Sequence, residues 1–118
     1  MSVYSSYAHE RLERGEDSEG RDHADFLNLT GLRANREGDT HAALSSFLEA
    51  RRRCRADPRF TLSAANMHLK LDEHLAALAL YDELLSSRFT LTEAQAAMAR
   101  SKRQAAHEAL GAPQWPTN

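Results

Sequence analysis

Residues 24–57 and 58–91 carry one pattern twice, offset by 34 positions. Phe26 falls on Phe60, Gly31 on Ala65, Gly38 on Asp72 and Asp39 on Glu73, while Ala43, Leu44 and Phe47 fall on Ala77, Leu78 and Tyr81. A self-match at this period means a chain assembled from copies of one small unit. Such a unit cannot bury its apolar stripe alone and must stack on its neighbour. The residues inside each copy say what the unit is. Ala43, Leu44, Phe47 and Ala50 recur at helical spacing. Alanine and leucine dominate the whole chain, and Val3 is its only valine or isoleucine. That choice of residues favours helix over strand. The expected fold class is all-α.

Each copy divides into two helices. In the first, residues 24–37 form one helix, Gly38-Asp39 the turn, and a second helix runs from Thr40 to about Arg55. Gly31 and Ala34 on one helix and Ala43 and Ala50 on the other let the two axes approach closely. In the second copy Pro58 opens the first helix, where a missing N–H costs no helical hydrogen bond. Asp72-Glu73 makes the turn, and residues 74–87 form the second helix. One longer helix follows. Its start is set by a capping box, either Thr92 with Gln95 or Thr90 with Glu93, and Gly111 with Pro113 ends it. Ahead of the repeats, the run 15–22 is charged and holds Gly15 and Gly20, which reads as a hinge. Val3, Tyr4, Tyr7, Ala8 and Leu12 recur at helical spacing, so residues 1–21 are either a short amphipathic helix or a flexible segment. The expected organisation is an N-terminal segment over 1–21 and a helical-repeat domain over 22–110, followed by a tail over 111–118. Within the domain, repeats span about 24–57 and 58–91, with a capping helix over about 92–110.

Several functions are disfavoured. With 118 residues, the chain suits one domain. No stretch approaches the roughly 20 apolar residues of a membrane helix, and the N-terminus lacks a secretory pattern, so a cytoplasmic protein without membrane insertion is expected. The single Cys54 rules out an internal disulfide and a cysteine zinc cage. A net charge of −2 and a pI near 6.3 argue against nucleic acid as partner. None of the six histidines has a zinc-ligand spacing, and there is no phosphate-cradling glycine loop or nucleophile elbow. A non-enzymatic protein with no cofactor and no metal is expected. The run Arg51-Arg52-Arg53 with Arg55 spreads around a helix C-terminus, where cations complement the macrodipole. Glu13, Glu16, Asp17 and Glu19 read as solvated. Cys54 reads as an inert, partly buried thiol.

The residues Gly31, Gly38, Asp39, Ala43, Phe47 and Ala50, with Ala65, Ala77 and Tyr81, resemble the tetratricopeptide repeat (TPR) family over about 24–91. Departures are Leu27 and Thr61 at the family's early aromatic position, Ala34 and His68 at its mid-helix tyrosine, and Pro58 lying three residues late. The resemblance implies antiparallel helix-turn-helix repeats in a short right-handed solenoid whose first helices line a groove for a peptide or helix. By that register the groove shows Asp25, Asn28, Leu29, Leu32, Asn35 and Arg36 from the first copy. The second copy gives Leu62, Ser63, Asn66, Leu69 and Lys70, and the capping helix Arg100, Arg103 and Gln104. Asparagine amides suit a peptide backbone, leucines its apolar side chains, and the cations a carboxylate. The expected function is an adaptor docking a protein or peptide. The alternatives are a self-assembling scaffold, since two repeats leave an end to cover, and a small secretion-type chaperone.

Overall fold

The computed structural model describes residues 18–111. Among them are five helices and no strand: α1 (Ser18–Arg36), α2 (Thr40–Arg53), α3 (Pro58–Lys70), α4 (His74–Leu84) and α5 (Glu93–Gly111). Each helix packs on the next, and α5 also reaches back to α3. Among the described residues no helix is long and apolar enough to cross a membrane. The expected all-α class holds; α1 starts six residues before the expected limit, and the other helix limits fall within three residues of those read from the sequence.

The turns show why these helices start and stop where they do. After α1, the Gly38 N–H donates to Asn35 O at 3.1 Å and the Asp39 N–H to Ala34 O at 2.9 Å. After α3, the Asp72 N–H donates to Leu69 O at 3.0 Å and the Glu73 N–H to His68 O at 2.9 Å. Both ends are Schellman caps, in which the residue past the helix adopts a left-handed backbone and the last carbonyls gain donors. Gly38 has φ 83° and Asp72 φ 60°. The two turns thus repeat bond for bond, 34 residues apart. Asp39 then caps α2 by accepting from the Ala42 N–H at 3.1 Å. Asp57 caps α3, whose first residue is Pro58. For α5 the capping box is Thr92 with Gln95. The Gln95 N–H donates to Thr92 Oγ1 at 3.1 Å, and the Thr92 N–H to Gln95 Oε1 at 2.9 Å.

The core is small-residue packing punctuated by three rings. Ala24, Ala50, Cys54 and Phe60 form one cluster, Ala43, Phe47, Ala64 and Met67 a second, and Ala65, Ala77, Tyr81, Leu84 and Ala99 a third. Alanine at most of these positions brings the axes together, and Gly31 goes further. A Cβ there would lie 2.5 Å from Phe47 Cε1, so the α1–α2 spacing depends on a residue without a side chain. Cys54 is buried, as expected.

Two expectations about the chain ends change. The second half of the run taken for a hinge, Ser18 to Arg21, is the first turn of α1. Glu19 complements the positive helix end, and Arg21 Nη1 donates to Asp57 Oδ2, tying that turn to the α2–α3 connection. α4 ends at Leu84, three residues short of the expected limit. Residues 1–17, with the proposed amphipathic pattern, and 112–118, with Trp115, lie outside the described residues.

Candidate functional site

The groove inferred from the family resemblance should run across α1, α3 and α5. Two bridges fix α1 beside α3. Arg59 Nη2 donates to Asp25 Oδ1 at 3.1 Å near the start of both helices, and Lys70 Nζ to Asn35 Oδ1 at 2.7 Å near their ends. The partners are 34 and 35 residues apart, so the helices lie side by side in the same direction. Asn28, Leu29, Leu32, Asn35 and Arg36 lie on α1 and Leu62, Asn66, Leu69 and Lys70 on the adjacent α3, with Asn35 meeting Lys70 directly. Leu29 is 65% exposed and Leu32 42%. Asn28 and Asn35 are half-buried, and Arg36 is exposed.

On α3 the same positions turn inward. Leu62 and Leu69 are half-buried and pack against the Tyr81 cluster. Asn66 Oδ1 accepts from the Tyr81 hydroxyl at 2.6 Å, and its Nδ2 lies 3.6 Å from Met98 Sδ. Its amide therefore joins α3 to α4 and α5. Burial pushes the Tyr81 hydroxyl pKa above its ordinary value, so the phenol remains a hydrogen-bond donor to the amide.

On α5, Ala99 and Ala106 face the core, Ala99 falling 34 positions after the buried Ala65 as Ala65 does after the buried Gly31, and Met98 faces α3. Arg103 turns to α4, where its Nε donates to Asp82 Oδ1. Arg100, two residues and about 200° from Met98, is exposed on the far side. Arg103 is thus tied to α4, while Arg100 is exposed.

The joint between the hairpins carries a cluster of charges. Asp57, 9% exposed, accepts from Arg21 and from the backbone and guanidinium of Arg59. Burial opposes ionisation of its carboxyl, but the bonds from Arg59 and Arg21 prevail and hold its pKa below the usual value. Arg59 also lies 4.9 Å over the Phe60 ring. Sequence reading missed this cluster, because Arg21 and Asp25 are far from Asp57 and Arg59 along the chain. The 34-residue spacing of Asp25 and Arg59 was the available signal.

The basic run at the end of α2 is largely neutralised by neighbours. Arg51 Nη2 donates to Glu83 Oε2 of α4 at 2.6 Å, while Arg52 and Arg53 both reach Glu49. The Arg52 bond holds the Glu49 pKa low. A cleft of about 450 Å³ lies here, lined by Ser45, Leu48, Glu49, Arg51, Arg52 and Arg55. Among the described residues, no group of three His, Cys, Asp or Glu side chains is placed to hold a metal ion. No family model, curated protein or solved structure matches the chain.

Proposed function

We propose that this chain is a TPR-like helical-repeat adaptor that docks an extended peptide or a helix of a partner protein along the α1–α3 surface. The carrying observation is the repeated turn: Gly38-Asp39 and Asp72-Glu73 make the same backbone bonds 34 residues apart. It supports two translated hairpins, a geometry that sets their first helices side by side. The adjoining surface offers what a peptide needs. Leu29 and Leu32 give apolar contact, Arg36 and Lys70 attract a carboxylate, and the half-buried Asn28 and Asn35 supply amide donors and acceptors. The half-buried Leu62 and Leu69 form the floor, with Asn66 held rigid by Tyr81.

A peptide library displayed on phage and selected on the full chain tests this reading. Selected peptides are expected to lose at least about tenfold in affinity against Leu32→Asp or Lys70→Glu. They should also shift amide resonances of α1 and α3 in an NMR titration. Peptides that shift only α2 and α4, or that bind both variants at full strength, refute it.

A further inference from the structure

We propose that a second copy of this chain occupies the outward face of α1, paired antiparallel about a two-fold axis at Leu29. Three facts on α1 lead there. Ala24 and Gly31 are buried on its inner side. At about 100° per residue, Asp22, Phe26, Leu29, Arg33 and Arg36 fall on the opposite side, with Asp25 and Leu32 at its edge. Phe26 and Leu29 are each 65% exposed and Leu32 is 42% exposed, which makes a continuous apolar strip about two turns long. Among the described residues, the other exposed large apolar side chains, Leu75, Met98 and Leu110, lie on α4 and at distant points of α5.

The charges around the strip specify the occupant. Acidic Asp22 and Asp25 precede Leu29, and basic Arg33 and Arg36 follow it. Asp22 and Arg36 stand seven positions either side of Leu29, Asp25 and Arg33 four, and Phe26 and Leu32 three. An axis at Leu29 therefore sets Leu29 against itself and Asp22 opposite the partner's Arg36, and brings Asp25 level with the partner's Arg33. Phe26 and Leu32 flank the Leu29 pair on its two edges. The face is its own complement, the condition a two-fold contact imposes. Parallel pairing would juxtapose like charges along the whole strip, so only the antiparallel arrangement fits. Opposed helix dipoles favour the same direction. With only three large apolar residues per copy, the contact belongs to the weak, reversible class.

This inference goes beyond the adaptor reading. It depends on Asp22, Phe26 and Arg33, none of which belongs to the α1–α3 surface, although Leu29, Leu32 and Arg36 contribute to both. Sedimentation velocity of the full chain over a dilution series tests it, with circular dichroism to establish that each variant is folded. The chain should show a monomer–dimer equilibrium. Asp22→Arg and Arg36→Asp should each weaken it by at least about tenfold, because symmetry doubles every like-charge contact. Combining the two should restore most of the loss, and Phe26→Glu should leave only monomer. A chain that is monomeric at every concentration overturns the proposal. So does a dimer indifferent to Phe26→Glu, or a double reversal no better than its singles. Asp22→Arg should leave selected peptides bound at full strength, so the dimer and the peptide surface fail separately.

Discussion

The two hairpins share a backbone plan and solve its packing differently. In the first, Gly31 lets the Phe47 ring lie directly against the α1 backbone, and the neighbouring Leu32 faces solvent. In the second, the matching residues are Ala65, Tyr81 and Asn66. The helix carries a methyl group, and the ring bears a hydroxyl that donates to the asparagine. The turns diverge too: Gly38 adopts positive φ without steric cost, whereas Asp72 adopts it with a side chain. Asp39 caps the helix that follows, while Glu73 makes no capping bond and instead meets His68 Nδ1 at 2.8 Å. One period therefore tolerates an apolar close approach in one copy and a polar tether in the other, provided that the helix axes keep their spacing.

The most disruptive test removes the buried polar anchor between the two hairpins. Asp57→Ala takes away a helix cap and leaves Arg21 and Arg59 without their buried acceptor, at an expected cost of about 3 kcal/mol in urea unfolding near neutral pH. Because the folded Asp57 pKa lies below its ordinary 3.8, its stabilisation is present above that pH and disappears as pH falls through the folded value. The gap between wild type and variant should therefore narrow in acid. A gap unchanged down to about pH 2 would show that the charge on Asp57 contributes nothing.

Gly31→Ala forces the first hairpin toward the second hairpin's solution without the room for it. The new methyl group would overlap the Phe47 ring, so a loss of about 2 kcal/mol is expected, measured by thermal or urea unfolding. Adding Phe47→Leu should recover part of it. If Gly31→Ala alone is neutral, the axes are freer than the packing indicates.

The reverse exchange acts on the second hairpin. Tyr81→Phe leaves the Asn66 carbonyl without its donor and should cost about 1 kcal/mol. Combining Tyr81→Phe with Asn66→Leu reproduces the Phe47–Leu32 pair of the first hairpin and should cost less than the sum of the single changes. Strict additivity of the two would mean that the tether carries no coupling.

The smallest effect is a gain. Asp72→Gly places at the second turn the residue that the first already uses, and should stabilise by roughly 0.5 kcal/mol by relieving the left-handed backbone. Destabilisation would show that the Asp72 side chain contributes more than its conformation costs.

Local chemistry was readable in advance where it acts over a few residues. Pro58 at a helix start, Thr92 with Gln95, the Gly38 turn and the inward Cys54 all follow from short-range rules. The period itself placed Gly31 against the second helix. What escaped depends on distant partners. Gly20 sits within α1, beside an Arg21 anchored to a carboxylate 36 residues away. Asn66 looked like an outward-facing amide because nothing local reveals the Tyr81 hydroxyl beside it. The Arg103 bond escaped in the same way, because its partner Asp82 lies on another helix 21 residues away.

The exposed side of α5 bears on how such an array could be lengthened. Ala94, Ala97, Ser101 and Ala105 follow one another there at helical spacing, small side chains of the kind that let α1 and α2 approach closely. An engineer wishing to extend the protein would begin from that strip.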